Sequence, residues 1–294
     1  MKIGFLVGSE SRAGKSALTT LAVNAERLGF ATLWTPEHVV LFDEYSSVYP
    51  YTENGRTFFP ATTTIMDPFV TLACAATVTS KIRLATAICL VPEHNPLVLG
   101  KTVATLDHLS GGRVTLGVGV GWLKEEFAAL GIPFETRAQR TRECIQAMRT
   151  LWGDELSSFP GKFVNFRNVR SYPKPAQGGN LPVYFGGESV PALRRVADLG
   201  NGWCGANLSP EEVAPRVRRL EDLLKANGRK LADVGISIMA RIVNPLTVDD
   251  LKRYRDAGAA EVIMLSRKPL QSEAEIVSYL EQLARDLVDA AAKL

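Results

Sequence analysis

Glu37 and His38 form the pair of residues in this 294-residue chain best suited to moving a proton. Imidazole titrates near neutrality and can donate or accept, while the adjacent carboxyl can fix a contact to backbone or ligand. A structural histidine is the plainer alternative. His94, which follows the third predicted strand, and His108 are weaker candidates, and His108 stands before Ser110-Gly111-Gly112, where it would cap or pack a helix end. Two glycine groups offer bare backbone. The alternating glycines in Gly117-Val118-Gly119-Val120-Gly121-Trp122 let either a flat ring or a neighbouring strand come close. Gly186-Gly187, followed by Ser189 and Pro191, reads as a strand end leading into a capped helix whose opening amides suit an anion such as phosphate. Gly8 with Gly14-Lys15-Ser16 resembles a phosphate-cradling loop, but five residues intervene where that motif has four, so nucleotide hydrolysis is set aside.

These residues need a scaffold, and apolar runs of strand length alternate with amphipathic runs of helix length throughout. Strands are expected at 2–7, 31–36, 82–88, 114–120, 183–187, 202–207, 235–242 and 261–266. Helical patterns fall near 17–29, 67–79, 96–109, 135–152, 189–199, 210–226, 247–257 and 271–291. Eight strand–helix units predict a single α/β domain over 1–294, closed as a (β/α)8 TIM barrel. An open doubly wound sheet would normally carry a dinucleotide fingerprint after its first strand, and none is present. Glu37-His38 then lies just past the second strand, at the end where barrels keep their chemistry. Two connections are long. Residues 38–66 contain Phe42, Tyr45, Tyr49, Tyr51, Phe58 and Phe59, too aromatic for disorder, and are expected to form a lid. The insertion 153–182 is expected to hold a small hairpin.

Composition narrows the function class. With 34 Lys and Arg against 31 Asp and Glu, interspersed, the net charge of +3 forms no basic stripe, so nucleic acid is not an expected partner. Cys74, Cys89, Cys144 and Cys204 are too scattered for a disulfide framework or a zinc site. No signal sequence or membrane span is legible, and a cytoplasmic protein is expected.

The segments AERLGFATLWTPEHVV (25–40), DPFVTLACAATVTSKIRLATAICLVPEHNPLVLGKTVATLDHLSGGRVTLGVGVGWLKEEFAALG (67–131) and LPVYFGGESVPALRRVADLGNGW (181–203) resemble the luciferase-like monooxygenase superfamily, more closely its branch of oxidoreductases that use the deazaflavin coenzyme F420. The resemblance implies a luciferase-like (β/α)8 barrel with insertions, a small-molecule substrate and a homodimer. It also implies a cofactor site. The ring would contact Glu37 and His38, the backbone at Ala87-Ile88, and Gly119, Val120, Gly121 and Trp122; the phosphate would lie by Gly186, Gly187, Ser189 and Val190. A cis peptide between Ala87 and Ile88 is a further implication. Similar sugar-phosphate dehydrogenases carry a Glu acid/base directly after the Gly-rich strand. Here that position is Trp122, with Glu125 and Glu126 one helical turn later.

The expected activity is hydride transfer between F420 and a small organic substrate, with His38 as the catalytic proton donor or acceptor and 38–66 as a water-excluding lid. An FMN-dependent monooxygenase is the alternative. A flavin-binding protein without catalysis is the alternative of a different class.

Overall fold

In the computed structural model, which describes residues 1–8, 14–241, 245–266 and 269–294, eight parallel strands close into a barrel. The segment between Gly8 and Gly14, and Ile242 at the end of the seventh expected strand, lie outside the described residues. The chain runs β1 (Lys2–Leu6), α1 (Gly14–Arg27), β2 (Thr32–Thr35), α2 (Pro68–Val78), β3 (Arg83–Thr86), α3 (Pro96–Ser110), β4 (Val114–Val118), α4 (Lys124–Ala129) and α5 (Arg137–Gly153). A two-stranded antiparallel hairpin follows, β5 (Ser157–Pro160) with β6 (Asn165–Val169), inside the insertion where a hairpin was expected. Then come β7 (Val183–Gly186), α6 (Val190–Leu199), β8 (Gly202–Leu208), α7 (Pro210–Ala226), β9 (Gly235–Ala240), α8 (Val248–Asp256), β10 (Glu261–Leu265) and α9 (Glu273–Leu283). The chain continues from α9 through a π turn, Ala284–Val288. The barrel order is β1-β10-β9-β8-β7-β4-β3-β2, and β2 pairs back with β1.

The strands are apolar on both faces because both are covered. The larger core lies between strands and helices, with Phe5, Leu33, Leu84, Leu116, Phe185 and Ile238 almost inaccessible. A smaller cluster of Leu6, Trp34, Ala85, Cys204 and Ile263 fills the barrel interior. Beside it Glu261 is buried and accepts from Trp34 Nε1 at 3.4 Å and Ser237 Oγ at 2.7 Å. Among the described residues no helix is long and apolar enough to cross a membrane.

Two differences from the expected elements have plain causes. The fourth strand stops at Val118, because Gly121 takes φ +78° and turns the chain away from the barrel wall. The six-residue α4 shows no side-chain cap and is too short to display a periodicity. The glycine row of β4 serves the neighbouring strand: a Cβ at Gly117 would stand 1.9 Å from the Thr86 carbonyl oxygen, and one at Gly119 would stand 2.0 Å from Ile88 Cδ1. Close strand approach, weighed above against ring approach, therefore accounts for Gly117. Gly119 also lines the cavity described below.

Gly117→Ala is expected to destabilise the fold by about 3 kcal/mol or more, since a backbone carbonyl is in the way. Gly153→Ala serves as the control, because the nearest atom to its added Cβ is 3.9 Å away and alanine is the better helix former by about 0.5–1 kcal/mol. Equal denaturation midpoints for the two variants would contradict the packing argument.

Candidate active site

A cavity of about 1120 Å³ opens at the carboxyl ends of the barrel strands. Its wall includes Glu37, His38, Ala87, Ile88 and the stretch Gly119 to Trp122. Gly186, Gly187 and Ser189 line it as well. Val190 does not line the cavity, and its side chain is 43% exposed. The Ala87–Ile88 peptide is cis.

His38 leaves β2 and turns its ring toward α4. Nδ1 lies 2.7 Å from Glu126 Oε2, and the two side chains are 10% and 0% exposed. The other Glu126 oxygen accepts the amides of Val39 at 2.6 Å and Val40 at 3.1 Å. A carboxyl removed from water needs such donors, and here all of them come from the segment that carries His38. Because a carboxylate can only accept, it assigns the proton to Nδ1 and leaves Nε2 as the nitrogen for the cavity. This pairing spans 88 positions in sequence, and the only local hint was an acidic residue in the first turn of a short helix.

Glu37 takes a different direction. Its carboxyl accepts the Leu90 amide at 2.5 Å and lies 2.9 Å from His94 Nε2. It thus ties the end of β2 to the turn that follows the cis peptide. Burial lowers the His94 pKa, and the bond to Glu37 outweighs that and raises it. Cys89, fully buried beside Glu37, is pushed up by burial and then by that carboxyl. Glu37, Cys89 and His94 bring their polar atoms within 4.8 Å of one another, a knot of hydrogen bonds behind the cavity wall. His108 is exposed near the end of α3, where its carbonyl accepts the Gly111 amide.

The 38–66 segment has no strand or helix and folds across the cavity mouth on its aromatic residues. Trp122 is the hub, with ring centroids 5.0 Å from Tyr49, 5.5 Å from Tyr45 and 6.0 Å from His38. Phe58 and Phe59 pack edge to face at 5.2 Å. Polar ties beyond those of Glu126 also hold the segment down. Glu125 accepts Ser46 N at 2.6 Å and Ser47 Oγ at 2.7 Å; against the cost of burial these donors bring its pKa to about 2. Asn207 at the end of β8 donates to the Tyr51 carbonyl at 3.0 Å.

The far wall is cationic. Ser189 caps α6, accepting from Ala192 N at 3.3 Å, and Trp203 Nε1 donates to the Gly187 carbonyl at 3.0 Å. Arg137, from the start of α5, and Arg195, from α6, line the same cavity. Their Nε atoms are buried and have no hydrogen-bond partner among the described residues, while another nitrogen of Arg137 donates to the Phe134 carbonyl at 3.1 Å. Burial, and then the like charges of Arg142 and Arg137, lower the pKa of Arg195. Arg216 and Glu188 line the cavity as well; burial lifts Glu188 to about 7 despite the Ala206 amide and Arg216. None of these four was singled out from sequence, because isolated charges on amphipathic helices and turns look like solvated ones.

The sequence model of the luciferase-like monooxygenases matches residues 1–290. An uncharacterized protein of Mycobacterium tuberculosis is 36% identical over 264 residues, 90% of this chain and 91% of the relative. The F420-dependent glucose-6-phosphate dehydrogenase of Kineococcus radiotolerans is 28% identical over 253 residues, 82% and 68% of the two chains. The FMNH2-dependent dimethylsulfone monooxygenase of Pseudomonas putida is 33% identical over 189 residues, 63% and 50% of the two chains. Among solved structures, the coenzyme F420-dependent tetrahydromethanopterin reductase of Methanopyrus kandleri superposes with a TM-score of 0.77 at 18% identity, covering 98% of each chain. The (β/α)8 barrel expected from sequence is thus the fold of known relatives, and the chain belongs to the luciferase-like monooxygenase family.

Proposed function

We propose that this protein transfers a hydride between coenzyme F420 and a small organic substrate. The observation that carries the reading is the pair Arg137 and Arg195, cavity-lining guanidinium groups whose Nε atoms are buried and unpartnered next to the capped start of α6. Such a wall suits an anionic coenzyme tail. F420 carries a phosphate and carboxylates, whereas FMN ends at its phosphate, so the surplus of cations over one phosphate favours the deazaflavin. When bound, the coenzyme supplies the hydride donor or acceptor.

The chain's own residues then have separate tasks. Ala87-Ile88 and the Gly119–Trp122 stretch form the wall for a flat ring, and Arg137, Arg195 and Ser189 hold the phosphate end. His38 gives or takes the substrate proton at Nε2, with Glu126 holding the imidazole tautomer and its aim. The Tyr49, Phe59 and Trp122 rings keep water from the reacting atoms. An FMN monooxygenase is the second reading, supported by the Pseudomonas putida relative. A flavin-binding protein without catalysis is the third. For assembly the reading is a homodimer. The helix α2 has no charged residue and leaves Val70 69% exposed, while neighbouring α3 leaves Val98 65% exposed. This apolar surface is suited to a second copy.

Three measurements check the proposal. Fluorescence titration should show tighter binding of F420 than of FMN, and Arg195→Ala should weaken F420 by about tenfold or more, the loss of one charge-assisted contact, while sparing the tail-less deazaflavin. The opposite cofactor order would move the protein to the FMN reading. His38→Ala should lower kcat by about 10²–10⁴-fold with less than about tenfold change in F420 affinity. Glu126→Gln should add almost nothing in the His38→Ala background, because it acts through that ring; an undiminished further loss would separate the two residues. Undisturbed F420 binding with no turnover of any alcohol or carbonyl tried would favour the non-catalytic reading. Val70→Glu combined with Val98→Glu should give a monomer in sedimentation equilibrium, and an unchanged dimer would place the interface elsewhere.

A further inference from the structure

Beneath the cavity wall, the 3-10 turn Val91–Glu93 brings a third acidic side chain close to Glu37 and Glu126. Both carboxyl oxygens of Glu93 are buried, and neither has a hydrogen-bond partner among the described residues. Its neighbours already have partners. Glu37 accepts from Leu90 and faces His94, and Glu126 is occupied by His38, Val39 and Val40. From α5, Arg140 approaches the turn but directs Nε to the Pro92 carbonyl at 3.4 Å. On the remaining side, Glu93 Oε1 lies 3.3 Å from where a Cβ of Gly121 would stand, so the carboxyl is wedged under the Gly121–Trp122 turn.

We propose that Glu93 is a positioning residue held as the neutral carboxylic acid, wedged between the β3 and β4 ends so that Glu126 alone directs a negative charge at His38. A carboxylate in this place would be an unpaired buried charge facing two other acidic groups, an arrangement that proteins avoid by protonation. Consistent with that, burial first, then Glu126 and Glu37, push the Glu93 pKa to about 9. Ionisation would drive the side chain toward water. That movement would disturb both segments proposed to face the ring, the one through Ala87-Ile88 and the one through Gly121-Trp122. The inference rests on the proposed coenzyme site for its functional part and on the buried carboxyl for its chemical part.

The experiment treats these parts separately, on the intact protein. Infrared spectroscopy at pH 7 should show a carboxylic-acid carbonyl stretch that disappears in Glu93→Gln. Thermal midpoints followed from pH 5 to pH 10 should diverge in one direction. An acid whose folded pKa is raised gives stability that is complete below its unfolded value of about 4.5 and is lost as pH rises toward the folded value. Gln does not titrate, so the advantage of Glu93→Gln over wild type should widen from pH 5 to about pH 9, reaching about 5 °C or more. Above pH 9 wild type should lose at least about threefold in F420 affinity, whereas the affinity of Glu93→Gln, whatever its value at pH 7, should not decline through pH 10 beyond the decline of a Glu135→Gln control. A constant difference in midpoint across the pH range, with no acid stretch lost, would overturn the proposal. If the stretch and the widening gap are found but F420 does not bind wild type at any pH, the neutral acid stands and the coenzyme reading fails. If F420 binds and both proteins show the same alkaline decline, the positioning role fails.

Discussion

A buried carboxyl must be supplied with donors, and Glu126 takes its three from a single stretch of chain, the His38 ring and the amides of Val39 and Val40. That demand joins two parts of the barrel that share no strand pairing, the end of β2 and the helix after β4. Once the tie is made, the orientation of His38 and the starting point of the 38–66 segment are both set. Trp122 and Phe59 then pack against a ring whose position is already determined. Glu125, on the next face of the same short helix, repeats the device with Ser46 and Ser47. One turn of helix thus organises both the His38 ring and the aromatic cover beside it.

Under the proposed function, the same segment would let a chain without an acid directly after its Gly-rich strand manage a proton. Trp122 occupies that position and packs against His38, Tyr45 and Tyr49, while the acidic residue Glu126, one helical turn later, contacts the His38 imidazole. Charge is distributed to match. The acidic side chains Glu37, Glu93 and Glu126 gather on the His38 side, and Arg137 and Arg195, whose Nε atoms have no hydrogen-bond partner among the described residues, line the far wall. Under the proposed function, this polarity would give a bound coenzyme one preferred direction.

Much of the scaffold was legible because strand–helix alternation leaves a strong apolar rhythm, and all eight barrel strands lie within the expected spans or overlap them closely. The aromatic density of 38–66 signalled side chains that pack together, and Tyr49 and Phe59 do so against Trp122 and His38, while Phe58 stays exposed. What was not legible is non-local. The His38–Glu126 contact joins residues 88 positions apart, Arg137 and Arg195 come from different helices, and α4 is too short to announce itself. The glycine row was readable as close approach, but only the neighbouring strand shows what approaches: the Thr86 carbonyl at Gly117 and the Ile88 side chain at Gly119. Glu93 was invisible for the same reason, because its character comes from Glu37 and Glu126 and not from its own sequence neighbours.

The most direct test of this account is the tautomer of His38, read from ¹⁵N–¹H correlations of protein labelled at its three histidines, with the resonance assigned by a His38→Ala spectrum. A carboxylate at Nδ1 requires the neutral ring to carry its proton there, so Nδ1 should appear protonated and Nε2 unprotonated in the neutral ring. Glu126→Gln should disturb that signal and leave those of His94 and His108 in place. A neutral ring protonated at Nε2, or a His38 signal indifferent to Glu126→Gln, would contradict the claim that this one carboxyl sets up the site.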